Sequence, residues 1–410
     1  MDLPSKFGEG IRVGARELET RVAEANVDVE GFLEGKRLRV FKYWDSPSRM
    51  KKADHKPLEL AHTPKKKITF ILPEVSYAGV AKVGLLQANL LKAYYNHGVE
   101  VISLIKEGQK FEELLDNVRI TYAFPIAVLS RSFYHISTQF MKVRSDLMLA
   151  HNIPATIVAN RMFRKNRVSY VAYIHDATHN RIPGSFPSFG YDRIKESLSN
   201  ATIVFTNSLK TLQELRKQYR VDGFPLHPGC FPAEQINNRR GDYFLFVHFI
   251  SPRRSFDFLA RLLEKEDFNL IIAGGRRWGW RGVFHSFQKF GNRVRFIFEP
   301  TEAELSMLYQ HAKGLIFPEV ENFGLPPLEA GAYGCPSIIA EGSGVLEILE
   351  KGKEILTCGE GEIEEFSKAI RILKEDAEYA KELGKRAWET AKRHSWRAHV
   401  TGLAQNIATL

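Results

Sequence analysis

Two carboxylates, Glu321 and Glu329, stand with seven residues between them in the stretch Phe317-Pro318-Glu319-Val320-Glu321-Asn322-Phe323-Gly324-Leu325-Pro326-Pro327-Leu328-Glu329-Ala330. The apolar run Gly314-Leu315-Ile316-Phe317 reads as a short buried strand, and Pro326-Pro327 suits the first turn of a helix. Strand, loop and helix start therefore follow in quick order. Between them, Phe323, Gly324 and Leu325 bring backbone N–H groups toward any anion, and Gly324 removes the side chain that would block its approach. A diphosphate can rest on such a helix end. Glu321 and Glu329 flank that position, and acceptor-only carboxylates suit hydroxyl groups better than phosphates. Taken singly, Glu329 could equally complement the helix dipole, and Glu321 could be a solvated loop acid.

The whole string is more specific than its parts. From Glu321 onward, E-N-F-G-L-P-P-L-E-A-G-A-Y-G-C-P resembles the signature of the large retaining glycosyltransferase family 4. The resemblance implies that Glu321 reaches donor-sugar hydroxyls, that the amides of Phe323, Gly324 and Leu325 hold sugar and diphosphate, and that Glu329 binds the ribose hydroxyls. The segment Phe246 to Ser255 is similar to the family's first donor-domain strand and loop, where a basic residue after the proline meets the diphosphate. Arg254 takes the usual lysine place, with Arg253 sharing the load; an arginine there can hold phosphate oxygens bidentately. Many members carry an arginine directly after the strand, where this chain has Phe249; a proline-arginine-lysine branch leaning to mannosyl or similar hexosyl and deoxyhexosyl transfer is nearer.

Upstream, Tyr173-Ile174-His175-Asp176 ends a strand. A neutral imidazole both donates and accepts, which suits a sugar hydroxyl, and the resemblance places a histidine here near the reacting centre. Asp176 is expected to cap or orient. Gly79, on the first loop, resembles the glycine that lets backbone approach the phosphate or acceptor.

The elements that must position these residues alternate strand and helix. Strands are expected at Ile68 to Leu72, Val99 to Ile105, Ala155 to Ala159, Ser169 to Ile174 and Ala201 to Phe205, with Gly98 as a helix C-cap. A small-residue turn at Tyr77 to Lys82 leads into an amphipathic helix through Tyr95. The second half repeats the rhythm at Tyr243 to Val247, Asn269 to Ala273, Val294 to Phe298, Gly314 to Phe317 and Ser337 to Ala340. Such alternation implies parallel sheets covered on both faces, with ligands at strand C-terminal ends. The expected class is α/β, resembling the GT-B architecture of two Rossmann-like domains facing a central cleft, with a last helix, Ser395 to Thr409, crossing back to the N-terminal domain. The expected domains are 1–62, an extension of unassigned role; 63–235, which presents the acceptor; 236–393, which binds the donor; and 394–410, the returning helix. Residues 225–232, with Pro228-Gly229, and the polar 237–242 are the linker.

Composition agrees with two soluble domains. A chain of 410 residues exceeds what one core supports and suggests two units of roughly 200 residues. With 44% hydrophobic and 26% charged residues, it has no apolar run near the ~18 residues of a spanning helix. Residues 1–30 lack an uninterrupted hydrophobic core, so no secretory signal is expected. Three widely spaced cysteines, Cys230, Cys335 and Cys358, argue against a disulfide framework and for a cytoplasmic location, with peripheral contact at the inner membrane face as an extension of it. The net charge of +10 calls for anionic partners. A nucleotide-sugar donor and a glycan or lipid-linked acceptor head them. Nucleic acid is disfavoured, because no helix-turn-helix, zinc-finger or RNP-like pattern accompanies the basic clusters.

The resemblance further implies retention by a same-face route, in which the departing phosphate helps deprotonate the acceptor; Glu321 and Glu329, separated by a helix start and assigned to different parts of one donor, do not make the carboxylate pair of double displacement. No metal and no cofactor are expected, since no Asp-x-Asp motif stands at a strand end and Arg253, Arg254 and the Gly324 helix end can supply positive charge. Two other classes stay open. One is a non-catalytic assembly partner that keeps the nucleotide-sugar fold, motivated by Phe249. The other is a basic membrane or nucleic-acid interaction protein, motivated by residues 124–150, which mix Arg131, Phe133, Tyr134, Phe140, Met141, Lys142 and Arg144 as an interfacial helix does.

Overall fold

The computed structural model describes residues 65–75, 78–106, 118–123, 136, 138–139, 141–178, 190–237 and 239–410. Residues 1–62 lie outside them, as do Arg131, Phe133, Tyr134 and Phe140 of the expected interfacial helix. All described residues belong to one compact unit, Ser46–Leu410. The first half runs β1 (Lys67–Glu74), α1 (Gly79–Tyr95), β2 (Gly98–Ile105), β3 (Arg119–Tyr122), β4 (Leu147–His151), α2 (Asn152–Asn166), β5 (Tyr170–Ile174), α3 (Tyr191–Ser199), β6 (Ile203–Thr206), α4 (Leu209–Tyr219) and β7 (Phe224–Pro225). The second runs β8 (Phe244–Val247), α5 (Arg254–Lys265), β9 (Leu270–Gly274), α6 (Trp280–Phe287), β10 (Val294–Phe298), α7 (Glu302–His311), β11 (Gly314–Phe317), α8 (Leu325–Ala332), β12 (Ser337–Ala340), β13 (Leu356–Cys358), α9 (Ile363–Glu375), α10 (Ala377–Arg393) and α11 (Trp396–Ala408).

Each half builds one all-parallel sheet. The first has the order β3-β2-β1-β4-β5-β6-β7, and the second β10-β9-β8-β11-β12-β13. Strand order reverses beside β1 in one sheet and beside β8 in the other, which opens a crevice at the carboxyl ends of β1 and β4 and of β8 and β11. The strands at these points are almost wholly apolar and buried, as sheets covered on both faces require.

Four sequence expectations are corrected. Ala155 to Ala159 is not a strand but the buried middle of α2, and the strand before it is β4, whose five residues are all buried. A short apolar run buried all round has no period that separates strand from helix. β4 also ends the 124–150 segment in the core of the sheet, so that part is no interfacial helix. Gly98 opens β2 and caps nothing; Asn96 takes the left-handed C-cap of α1 at φ 54°, which asparagine tolerates. Finally, α1 begins at Gly79, inside the expected turn, and every residue from Ala81 to Leu91 is buried, so it is not amphipathic.

The C-terminal helix explains that burial. Trp396, Val400, Leu403, Ala404 and Ile407 of α11 share one apolar cluster with Ile68, Phe70, Val83, Leu86, Leu90 and Phe205 of the first half. Ser395 N-caps α11, accepting from the Ala398 N–H, and the Trp396 N–H donates to the Cys230 carbonyl at 2.9 Å. Any side chain at Gly229 would collide with the Trp396 backbone, so a glycine is required where 225–232 passes the returning chain. Trp396→Ala is expected to cost about 3–5 kcal/mol of unfolding free energy. Urea denaturation measures it, and a loss under about 1 kcal/mol would mean that the helix return is dispensable.

Candidate active site

β11 delivers the Glu321 segment to the crevice. After Phe317 the chain turns through residues 318–323, and Gly324 at φ 93° serves as N-cap of α8, a left-handed backbone that a side chain would strain. Pro326 and Pro327 lie in the first turn, where no amide hydrogen is missed. Phe323 is buried, and its carbonyl accepts from the Val345 N–H at 2.6 Å. The N–H groups of Phe323, Gly324 and Leu325 carry no hydrogen bond within the described residues, as befits the exposed donors at a helix start. Facing them is the start of α1. A Cβ built on Gly79 would lie 3.5 Å from Leu325 Cδ1, so the positive ends of two helices converge from the two sheets.

Glu321 sits beside a group that the sequence reading did not include. His248, directly after β8, lies parallel to the Phe246 ring with centroids 5.9 Å apart, and its Nε2 is 3.3 Å from Glu321 Oε1 and 3.5 Å from Glu319 Oε2. Arg253 Nη1 reaches the same Nε2 at 2.9 Å and Glu319 Oε2 at 3.6 Å. Burial works to raise the Glu321 carboxyl pKa. The His248 hydrogen bond and the charges of His248, Arg253 and Lys210 outweigh it and hold the group below its ordinary value, so Glu321 is ionised. His248, Glu319 and Glu321 also bring ligand atoms within 4.8 Å of one another, a set able to take a cation, although the Arg253 guanidinium occupies the same corner. Arg253 is the N-cap residue of α5 and Arg254 its first residue; the Arg254 side chain lies outside the described set.

Glu329 is engaged by the other sheet. Its Oε1 accepts from Lys82 Nζ on α1 at 2.6 Å and its Oε2 from the Tyr309 hydroxyl at 3.0 Å, while Lys82 also pairs with Glu302 at 2.8 Å. Burial alone would lower the Lys82 pKa, but the two carboxylates raise it above its ordinary value; burial raises that of Glu302. A hydroxyl reaching Glu329 therefore shares it with an ammonium. Lys82 lies within the Tyr77 to Lys82 stretch that the sequence reading assigned to a turn, with no local pattern marking it as a partner.

His175 follows β5. Its backbone N–H donates to Asn152 Oδ1 at 2.8 Å, and its carbonyl accepts from Asn322 of the signature segment at 3.3 Å, which ties the two sheets' loops together. Burial, with the His399 charge second, lowers its pKa to about 3, so the imidazole is neutral at physiological pH. Asp176 accepts from the Thr178 N–H and hydroxyl at 2.8 and 2.6 Å and closes a turn. Phe249 carries no charge, but the Arg277 guanidinium lies over its ring at 4.9 Å and pairs with Glu74 at the end of β1 at 2.5 Å.

Two parallel α/β sheets, crevices at their switch points and a last helix returning to the first sheet define the GT-B architecture of glycosyltransferases. Residues 232–390 match the family described as Glycosyl transferases group 1. The O-antigen chain mannosyltransferase RfbU of Salmonella typhimurium is 27% identical over 194 residues, 44% of this chain and 54% of that protein, so the match spans about half of the relative's length. HepE of Anabaena, solved with UDP and glucose, superposes with a TM-score of 0.67 at 18% identity, covering 84% of this chain and 100% of that one. Sucrose-phosphate synthase of Thermosynechococcus elongatus gives 0.70 at 16%, covering 84% and 99%.

Lys82→Met leaves Glu302 and Glu329 buried without their cation and is expected to cost about 3–5 kcal/mol. The carboxyl pKa values in that variant rise above their unfolded values, so its deficit grows as pH rises and shrinks on acidification toward about pH 4. Denaturation curves at several pH values read this, and a deficit independent of pH would contradict the pairing.

Proposed function

We propose that the chain moves a hexosyl or deoxyhexosyl group, with retention at the anomeric carbon, from a nucleotide-diphosphate sugar to a hydroxyl of a glycan or lipid-linked acceptor. The observation that carries this reading is the convergence of the α1 and α8 N-termini, at Gly79 and at Gly324 and Leu325, beside an ionised Glu321 and a neutral His175. Helix N-termini favour a diphosphate, and the carboxylate and imidazole favour sugar hydroxyls. Arg253, with Arg254 beside it, supplies charge to the leaving diphosphate, and Glu329 takes the ribose hydroxyls while keeping its pairing with Lys82. The names of relatives support the donor class: a mannosyltransferase for RfbU, and a crystal with UDP and glucose for HepE.

Retention is proposed by the same-face route. The phosphate leaves first, the sugar carries positive charge briefly, and the departing phosphate accepts the proton of the attacking hydroxyl. Glu321, held ionised by His248, stabilises that charge through its hydroxyl contacts and need not form a covalent bond. Metal independence is proposed as well, supported by the Arg253 guanidinium within the His248, Glu319 and Glu321 set, where it already supplies positive charge. Among the described residues no helix is long and apolar enough to cross a membrane; a cytoplasmic protein docking peripherally on the inner face is the proposed setting.

Binding and slow hydrolysis of UDP-, GDP-, ADP- and dTDP-sugars, followed by NMR of the product anomer, test the reading. One base class should bind, and the product should keep the donor's anomeric configuration; inversion would overturn the route. Glu329→Ala should weaken nucleoside-diphosphate binding by about 1.5 kcal/mol, as loss of a charge-assisted hydrogen bond does. Unchanged affinity by calorimetry would remove Glu329 from the ribose. Glu321→Gln should instead lower kcat at least about tenfold at constant nucleotide affinity, because it meets the sugar alone.

A further inference from the structure

We infer that His151 is a positioning residue that fixes His175 as its Nδ1–H tautomer, so that His175 meets its ligand as a hydrogen-bond donor and not as a base. This deepens the site proposed above and rests on it. β4 and β5 pair in parallel with His151 opposite Tyr173, so the side chains of His151, Tyr173 and His175 share one face of the sheet. The three rings pack together, with centroids 5.2 Å apart for His151 and Tyr173, 4.9 Å for Tyr173 and His175, and 5.2 Å for the two histidines. His151 Nδ1 and His175 Nε2 are 2.9 Å apart, a hydrogen bond holding one proton between them.

That proton has two homes. If His175 Nε2 donates, His151 must keep its own proton on Nε2. That nitrogen is buried and has no partner among the described residues. Its ring lies between Phe70, at 6.1 Å, and Tyr173, beneath the chain at Gly84, where an added Cβ would be 3.4 Å from His151 Cε1. That form would strand an N–H donor among apolar groups, and buried N–H groups without a partner are rare. If His151 Nδ1 donates instead, its Nε2 is a bare acceptor, and the unpartnered N–H moves out of that apolar place to His175. His175 Nε2 then accepts, and its remaining proton lies on Nδ1, which makes no hydrogen bond to any described residue. Burial lowers the pKa of both rings, so neither takes up a second proton near neutrality.

The tautomer decides what His175 can do. With Nε2 engaged and Nδ1 protonated, the ring has no free acceptor, so it can hydrogen-bond a sugar oxygen but cannot take the proton of an attacking hydroxyl. Deprotonation is left to another acceptor in the cleft. Histidine in water prefers Nε2–H, so the pair reverses the ordinary preference and does so through a side chain one strand away.

The full chain labelled with 15N-histidine, in a long-range 1H–15N correlation at neutral pH, should show His175 protonated at Nδ1, its signals assigned by their loss in His175→Ala. A wild-type spectrum with His175 protonated at Nε2 would overturn the proposal, and that measurement needs no variant to fold. His151→Phe keeps the packing and removes the donor; it should move His175 to the Nε2–H form and lower kcat about tenfold, with UDP and GDP affinities unchanged. His151→Asn, whose amide donates from near the Nδ1 position, should recover most of that loss. Wild-type turnover in His151→Phe would overturn the positioning role. Wild-type turnover in His175→Ala would overturn the site assignment, independently of what the spectrum shows for the tautomer.

Discussion

Lys82 is a cation almost wholly removed from water, and its pairing with Glu302 and Glu329 joins α1 of the first sheet to α7 and α8 of the second. A buried ammonium without partners would be displaced toward solvent or neutralised, at a cost of several kcal/mol. With two carboxylates within 2.8 Å it stays charged, and its helix stays where it is. That contact lies one turn inside the α1 N-terminus and one turn inside the α8 N-terminus, so it holds two positive helix ends side by side. Two like ends approaching through an apolar contact such as Gly79 with Leu325 would repel. The two glutamates, with Lys82 between them, leave the junction net negative and offset that repulsion.

The rear of the same helix is held by apolar contact instead of charge. α11 lies across α1 and completes the cluster that includes Ile68, Phe70 and Phe205. The chain reaches it past Gly229 and Cys230, where backbone packs on backbone. α1 is thus gripped at its start by an ion cluster and along its length by a helix that is last in the sequence. This explains why its surface carries no polar stripe: the side that would face water in an isolated Rossmann-like half is covered.

Much of the fold was legible because parallel sheets write themselves as short apolar runs between turn residues. Val294–Phe298, Gly314–Phe317 and Ser337–Ala340 were read to the residue, and Trp396–Ala408 lies one residue inside the expected helix at each end. The failures share a cause. Burial on every side erases periodicity, so the α2 run Ala155 to Ala159 read as a strand and α1 read as amphipathic. β3 is only partly buried and so lacks an apolar run, and β7 and β13, of two and three residues, are too short to carry a pattern. In the site, Glu321, Gly324 and Glu329 were legible because one loop and one helix start hold them in a local string. Lys82, His248 and His151 were not, since what gives each its meaning lies far along the chain: Lys82 and Glu329 are 247 residues apart. His175 was singled out by its strand end, but its partner His151 falls between the 124–150 segment and the expected strand at Ala155 to Ala159, where no element was expected.

Among the described residues, Arg253, Arg277 and Lys82 at the cleft are already paired. Arg253 lies against His248 and Glu319, Arg277 against Glu74 and the Phe249 ring, and Lys82 against Glu302 and Glu329. An anion that enters must therefore exchange partners with the protein's own carboxylates, and only the difference between the two sets of interactions contributes to its affinity. For the exposed Arg253 that exchange costs little, because water already screens the pair. For Lys82 it costs far more, because releasing the ammonium would leave Glu302 and Glu329 uncompensated in the interior. The two arms of the cleft are consequently unlike. The Arg253 side can yield to a diphosphate, whereas the Lys82 side is built to stay closed and to admit a neutral hydroxyl onto Glu329 without giving up its cation.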